Sequence, residues 1–390
     1  MPVKETKIRI LITDGASVNA LGILRQLGIL KKFEIYVVGY NNAALCKFSK
    51  YCKEFFLIPH PKSKSSEFIS QIISICQKEK IDFLLPVGFY AHQVIIENIE
   101  LVSHATKLCL PSKESFITAT SKIETSLLAE KKGVLIPKTK SIANLNELDT
   151  LADLRFPVVI KSRNEIGGRM VEYANTKTDL ISKFKFLVES FKLLPSNYPI
   201  IQEYIKGEGV GYFAFYKNGK VVRSFMHKRI REFPVSGGRS VCARSFYDEK
   251  LEKNGKLVLD ALNWNGCAMV EFKRTSSNDY YLLEVNPKLW GSIELAICSG
   301  VNFPLFMIND ALNIPEVKVE NSYRKNLSFQ WCLNGELYHF FNRPLSLFSI
   351  IKTAFTSKKD FWFKDIKPNL IQLLFIPVDF YKVIKSKIKS

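Results

Sequence analysis

The sequence predicts an α/β amino-terminal part followed by an α+β part built on antiparallel hairpins. Three observations carry this. Apolar strand-like runs alternate with helical spacing over the first ~110 residues. Two hairpin signals lie in the second half. Pro111 and Ser112 punctuate the chain between the two patterns. At 390 residues, 47% hydrophobic and 24% charged, the chain is long enough for two or three domains with a sizeable core.

The elements follow in order. Lys7–Thr13 reads as a strand, and Val18–Leu30 carries helical spacing. Glu34–Tyr40 and the short Phe55–Ile58 are the next strands. Glu67–Lys78 places Phe68, Ile69, Ile72, Ile73 and Ile75 on a helical stripe, and Ile81–Val87 is a buried strand. The loop Asp14–Ser17 lacks the GxGxxG spacing that brings backbone to a pyrophosphate, so it reads as a tight βα turn. Ser112–Ser115 is a helix start, and a helix over Ser115–Lys132 ends at Gly133. Pro137 leads into a second α/β segment. Asn218-Gly219 joins Tyr212–Lys217 to Lys220–Lys228 in the strongest hairpin signal of the chain. A polar turn, Thr275–Asp279, joins Ala268–Arg274 to Tyr280–Asn286.

The second hairpin carries the clearest chemistry. With its turn centred between Ser277 and Asn278, Glu271 falls opposite Glu284, and Asn286 shares a face with Glu284. Opposed carboxylates repel, and a divalent cation such as Mg²⁺ resolves the conflict with oxygen ligands. Lys161 ends the apolar run from Phe156 and precedes Gly167-Gly168 and two arginines, a pattern that suits polyphosphate. Between His227 and Arg244 a basic stretch (His227, Lys228, Arg229, Arg231, Arg239 and Arg244) reads as a loop that binds an anion and closes over a site.

Lys and Arg outnumber Asp and Glu by 56 to 37, a net charge of +19. The excess fits anionic partners or a Lys-rich solvated surface. Aromatic interleaving is thin in the basic stretch, so no specific nucleic-acid partner is expected. None of the eight cysteines forms a CxxC pair, which argues against a zinc site and for buried thiols in a reducing compartment. No signal-peptide pattern or bilayer-length apolar run is present, so the cytoplasm is the expected location. Residues 343–390 hold ten basic and three acidic residues. Apolar clusters interleave with them, and Asp379–Ser390 reads as a basic amphipathic helix. Such a tail either packs on the core or lies on an anionic membrane at its inner face.

In this order the motifs resemble the ATP-grasp superfamily, nearest its carboxylate–amine ligase branch, related to the ATP-binding parts of carbamoyl-phosphate synthetase and biotin carboxylase. The carrying segments are 121–139, 156–169, 200–220, 227–240, 268–272 and 282–292. The resemblance implies a pre-ATP-grasp α/β domain over 1–112 and an ATP-grasp domain over 113–315, with lobes meeting near 199 and 200. A basic, partly amphipathic extension follows over 316–390. It implies ATP with Mg²⁺, or Mn²⁺ in its place, small-molecule carboxylate and amine substrates, and a homodimer. Lys122 and Lys161 match phosphate-contacting lysines, and Gly167 and Gly168 match the glycine loop over the β- and γ-phosphates. Gln202, Glu203 and Ile205 match the adenine hinge, and Glu208 matches the ribose-binding acid. Glu271, Glu284 and Asn286 match the metal ligands. Lys288 stands where the family usually has arginine in Glu-Ile-Asn-Pro-Arg. It keeps the charge but not the bidentate fork. That departure leaves a nucleotide-binding regulator with weak turnover as the alternative to a ligase. Lys288, Arg239 and His227 are the candidate catalytic groups, with His227 either a proton acceptor or a structural hydrogen-bonding residue.

Overall fold

The computed structural model describes residues 7–164, 170–234, 237–315 and 322–374. Three sheets organise them. The first contains β1 (Ile8–Ile12), β2 (Phe33–Gly39), β3 (Cys52–Leu57) and β4 (Phe83–Leu85). All pair in parallel in the order β3-β2-β1-β4. The expected tight turn is there: Asp14 has φ 60° and its carboxylate accepts the Gly88 amide at 2.7 Å, tying the end of β1 to the start of the helix after β4. A Cβ on Gly15 would stand 2.6 Å from Val37, so the chain turns too tightly for a larger residue.

The second sheet contains β5 (Thr139–Lys140), β6 (Val158–Lys161), β7 (Val171–Ala174) and β8 (Ile200–Glu203) in the antiparallel order β5-β8-β6-β7. Between the first two sheets the single helix expected over Ser115–Lys132 is two helices, Lys113–Thr120 and Lys122–Lys131. The break is local. Ser121 has extended backbone, its hydroxyl caps the second helix by accepting from Glu124, and it bridges to Asn164. The break makes Lys122 the first residue of a helix. Gly133, at φ 77°, ends that helix as expected.

The third sheet contains β9 (Glu208–Lys217), β10 (Lys220–Phe233), β11 (Arg239–Ser245), β12 (Gly266–Arg274), β13 (Tyr280–Asn286), β14 (Ser328–Gln330) and β15 (Ser357–Lys359). Its order is β13-β12-β9-β10-β11-β14-β15. Asn218 and Gly219 both have positive φ, as the hairpin turn between β9 and β10 requires. Alternation along β9 sorts the two faces. Val210, Tyr212, Ala214 and Tyr216 pack against Leu251, Val258 and Leu259 of the helix Glu249–Ala261. Phe213 and Phe215 belong to a core that continues through Trp290 and Phe303 to Ile23 and Leu24 beside the first sheet.

The described residues after 315 do not stand apart from this body. β14 pairs with β11, and β15 extends the same sheet. A buried arginine, Arg25 of the helix Val18–Gly28, reaches the same segment. Its Nε donates to Asp365 Oδ2 at 2.9 Å and its Nη2 to Asn369 Oδ1 at 3.0 Å. Ser49 and the Lys50 amide complete the Asp365 carboxylate. The described part of the extension therefore packs on the amino-terminal part, while the basic helix expected over Asp379–Ser390 lies outside the described residues. Among the described residues no helix is long and apolar enough to cross a membrane.

Candidate active site

The two carboxylates meet as expected, by a different route. Next to the turn, Arg274 pairs with Tyr280 and Phe272 with Leu282, so the hairpin is centred on Ser277. A bulge at Leu283 then shifts the register by one, and only beyond it does Glu271 pair with Glu284 and Met269 with Asn286. Leu282 and Val285 both stay on the helix-covered face, and Glu284 and Asn286 are delivered to the other. The bulge also turns the Leu283 carbonyl to an acceptor outside the ladder: Lys161 Nζ, from the end of β6, donates to it at 3.1 Å. Lys122 Nζ lies 3.3 Å from Glu284 Oε2 and Asn286 Nδ2 donates to Glu284 Oε1 at 3.1 Å. Two lysines from two different elements thus converge on one bulged strand.

The repulsion between the carboxylates is relieved by side chains that the sequence argument had not paired with them. Arg229 Nη2 lies 2.7 Å from Glu271 Oε2 and its Nη1 lies 3.3 Å from Glu232. Arg229 was noticed only as one of a basic run. The row His227–Gly211–Glu271–Glu284 across β10, β9, β12 and β13 places Arg229 two residues along the same face, and strand alternation was the signal that could have found it. Gly209 makes room for it: a Cβ there would stand 2.9 Å from Arg229 Cδ.

Burial and charge act in opposite directions on the pair. Burial raises Glu284, but Lys122, Lys161 and Lys288 more than offset it and hold the carboxyl well below its usual range. Burial raises Glu271, Arg229 opposes the rise, and repulsion from Glu284 and Glu232 leaves it above the usual range. Arg229 is itself raised: burial lowers it, but Glu271 and Glu232 more than offset that. Among the described residues three carboxylates (Glu232, Glu271 and Glu284) and four cations (Arg229, Lys122, Lys161 and Lys288) meet at this face. Glu284 stays 25% exposed, open to a ligand from solvent.

An Mg²⁺ ion fits this donor set. Glu284 is ionised, Asn286 Oδ1 lies on the same face, and Glu271 keeps Oε1 beyond the oxygen that Arg229 takes. Among the described residues no group of three His, Cys, Asp or Glu could hold a metal by itself, so an ion here would also rely on Asn286 and on phosphate oxygens.

The other candidates sort as follows. Gly167 and Gly168 lie outside the described residues. Gln202 is buried on β8 and donates to Thr139 Oγ1 at 2.9 Å. Glu203 exchanges bonds with Lys138 on β5's approach, its amide donating to the Lys138 carbonyl at 2.8 Å. Ile205 follows β8, half-buried. Lys288 stands over the Phe89 ring at 5.6 Å. Arg239 opens β11 opposite Phe233, exposed.

Two further candidates are placed and one expectation is corrected. Glu208 sits on the far face of β9, one residue out of phase with Gly209, and is paired with Arg274 and Lys228. His227 is buried, its Nε2 lies 2.8 Å from Ser292 Oγ, and its ring packs 4.5 Å from Phe213. Burial and the nearby Arg229 hold its pKa down to about 3, which makes the ring a weak base. The basic stretch 227–244 is mostly two paired strands, β10 and β11, not a loop.

A family model described as "ATP-grasp in the biosynthetic pathway with Ter operon" matches residues 199–333. The carbamoyl phosphate synthase large chain of Clostridium acetobutylicum is 23% identical over 230 residues, 57% of this chain and 21% of that one. The large chain of Thermoanaerobacter sp. is 25% identical over 298 residues, 70% and 25% of the two chains. The chain thus spans about a quarter or less of the length of these relatives. A biotin carboxylase structure from Campylobacter jejuni superposes with a TM-score of 0.67 at 18% identity, over 83% of this chain and 75% of that one. An L-amino acid ligase from Bacillus licheniformis gives 0.65 at 14% identity, over 83% and 79%. The fold is that of the ATP-grasp proteins. In sequence, residues 199–333 match an ATP-grasp model, and the chain is similar to part of carbamoyl phosphate synthase large chains.

Proposed function

We propose that the protein is an ATP-dependent ligase that activates a carboxylate as an acyl phosphate and joins it to an amine or similar nucleophile, releasing ADP and phosphate. The observation that carries this reading is the convergence of Lys122 and Lys161 on the bulged Leu283–Glu284 segment, opposite Glu271. A face where lysines from two elements meet a carboxylate held below its usual range suits a polyphosphate together with a divalent ion.

In this mechanism a substrate carboxylate oxygen attacks the γ-phosphorus, the bond to the β,γ-bridging oxygen breaks, and ADP departs. The nucleophile then attacks the acyl carbon and displaces phosphate. Little of the barrier is covalent chemistry for the protein; placement and charge stabilisation supply most of it. Lys122 and Lys161 hold phosphate oxygens from two sides, and Lys288 and Arg239 add positive charge where the γ-phosphoryl group is transferred. Magnesium, when bound, would supply positive charge that offsets the charge developing on the leaving group. Glu284, Asn286 and Glu271 would hold it, and Mn²⁺ suits the same oxygens. Arg229 keeps Glu271 fixed. The stretch Glu203–Ile205 would lie along the adenine.

The test is a panel of amino acids and sugar acids, each offered with amines, and read by ADP release. Magnesium-dependent ADP formation that requires a carboxylate is the expected result. Tight nucleotide binding with no turnover on any pair would favour a regulator instead.

A further inference from the structure

The helix Leu347–Thr356 in the carboxy-terminal extension has two unlike faces. Its inner face is fixed. Thr353 is buried, and Arg231 of β10 donates to Thr353 Oγ1 at 2.6 Å and to Ser349 Oγ at 2.9 Å while also pairing with the buried Glu336. The opposite face carries Phe348, Ile351, Lys352 and Phe355, spaced as one helical stripe. Phe348 and Phe355 are each 86% exposed, and Leu345 in the turn before the helix is 99% exposed. Phe363, further along the extension, is 84% exposed. Scattered exposed apolar residues need no explanation; a stripe of aromatic and aliphatic side chains almost fully in water does.

Charge says what covers it. Over residues 343–374 the basic residues are Arg343, Lys352, Lys358, Lys359, Lys364 and Lys367, and all six are exposed. The acidic residues over the same span are Asp360 and Asp365, and both are buried. Asp365 is consumed by Arg25, and Asp360 accepts from the Cys332 and Leu333 amides. Every charge that residues 343–374 show to solvent is therefore positive. A second copy meeting the stripe about a two-fold axis would bring like charges together. A surface that is apolar and uniformly cationic matches the interfacial layer of an anionic bilayer, where rings enter the acyl boundary and lysines stay among headgroup phosphates.

We propose that this helix face docks the protein on an anionic membrane surface, with Leu345, Phe348, Ile351 and Phe355 inserted and Lys352 and its basic neighbours at the headgroups. The ligase reading is not needed for this: the docking face is opposite the face that Arg231 pins to the sheet.

The test uses the full chain and flotation with two vesicle types, phosphatidylcholine alone and phosphatidylcholine with phosphatidylglycerol. The wild type is expected to float with the anionic vesicles and not with the neutral ones. A Phe348→Ser/Phe355→Ser variant and a Lys352→Glu/Lys358→Glu/Lys359→Glu variant should each bind at least tenfold more weakly, with unchanged melting temperature and ADP release. A wild type that stays with the soluble fraction overturns the proposal. So does a Phe348→Ser/Phe355→Ser variant that floats like the wild type, or a wild-type dimer that this variant converts to monomer without any vesicle binding. Absent ADP release in a wild type that floats would count against the ligase reading alone.

Discussion

Two buried arginine–carboxylate pairs of similar length do different things in this molecule. Arg25 and Asp365 meet at 2.9 Å, and Arg229 and Glu271 at 2.7 Å. The first pair is closed. Its carboxylate also takes Ser49 and the Lys50 amide, its guanidinium also takes Asn369 and lies 5.5 Å from the Trp362 ring, and burial raises the carboxyls of nearby Asp360 and Glu294. The second pair is one corner of a face where Lys122 meets Glu284 and Glu284 is reachable from solvent. The difference teaches that a buried ion pair is not by itself a site. A pair closed over by its own neighbours is a staple; a pair beside a solvent-reachable carboxylate lies where a ligand can arrive.

The largest effect that could break this comparison is on stability. Asp365→Ala leaves Arg25 buried without its partner and should cost about 3–5 kcal/mol in urea unfolding. Glu271→Ala, at the open face, should cost clearly less. Equal losses would erase the distinction between staple and site.

The next effect is on turnover. Lys161→Met keeps the packing of the stem and removes the charge, and should lower kcat by about 10²–10³-fold with a small change in unfolding free energy. A variant that unfolds readily but retains its rate would move Lys161 into the staple class.

The smallest effect is a pH slope. Glu294 is buried, accepts from Trp331 Nε1 at 3.2 Å, and is raised to about 8 by burial, with nearby Asp360 adding to the rise and Arg25 opposing it. A carboxyl raised in the folded state keeps a proton that the unfolded chain has already lost. Stability must therefore fall as pH rises from the unfolded value of 4.5 towards about 8. Glu294→Gln keeps an acceptor for Trp331 and should flatten that decline. An unchanged slope, followed by thermal unfolding across this range, would mean that another group supplies it.

Much of this was legible in the sequence, and the gaps have physical causes. Asn218-Gly219 announced its hairpin because few residues accept two successive positive φ angles. The alternation of apolar runs announced the parallel sheet. Glu271 and Glu284 were rightly opposed, but from a symmetric turn; the bulge at Leu283, which delivers the pair and frees the carbonyl for Lys161, leaves no local signature in Leu282-Leu283. Matching a motif does not say which side of a strand a residue faces: Glu208 lies on one side of β9, and Gly209 one position on lies on the side of Arg229. Arg25 was a lone cation in an apolar helical stripe. Its partners lie more than three hundred residues away, beyond any spacing rule. The tail was read as either packed or membrane-bound. In its described part Asp360 and Asp365 turn inward and the six cations outward, so that part packs through one face while the other stays exposed.

The most direct measurement titrates ATP into the wild type and into Glu284→Gln, each with and without magnesium. If the bulged strand holds the ion that grips the triphosphate, magnesium should tighten binding to the wild type by at least tenfold and leave the variant almost unchanged. An equal magnesium effect in both proteins would contradict the account and place the ion elsewhere.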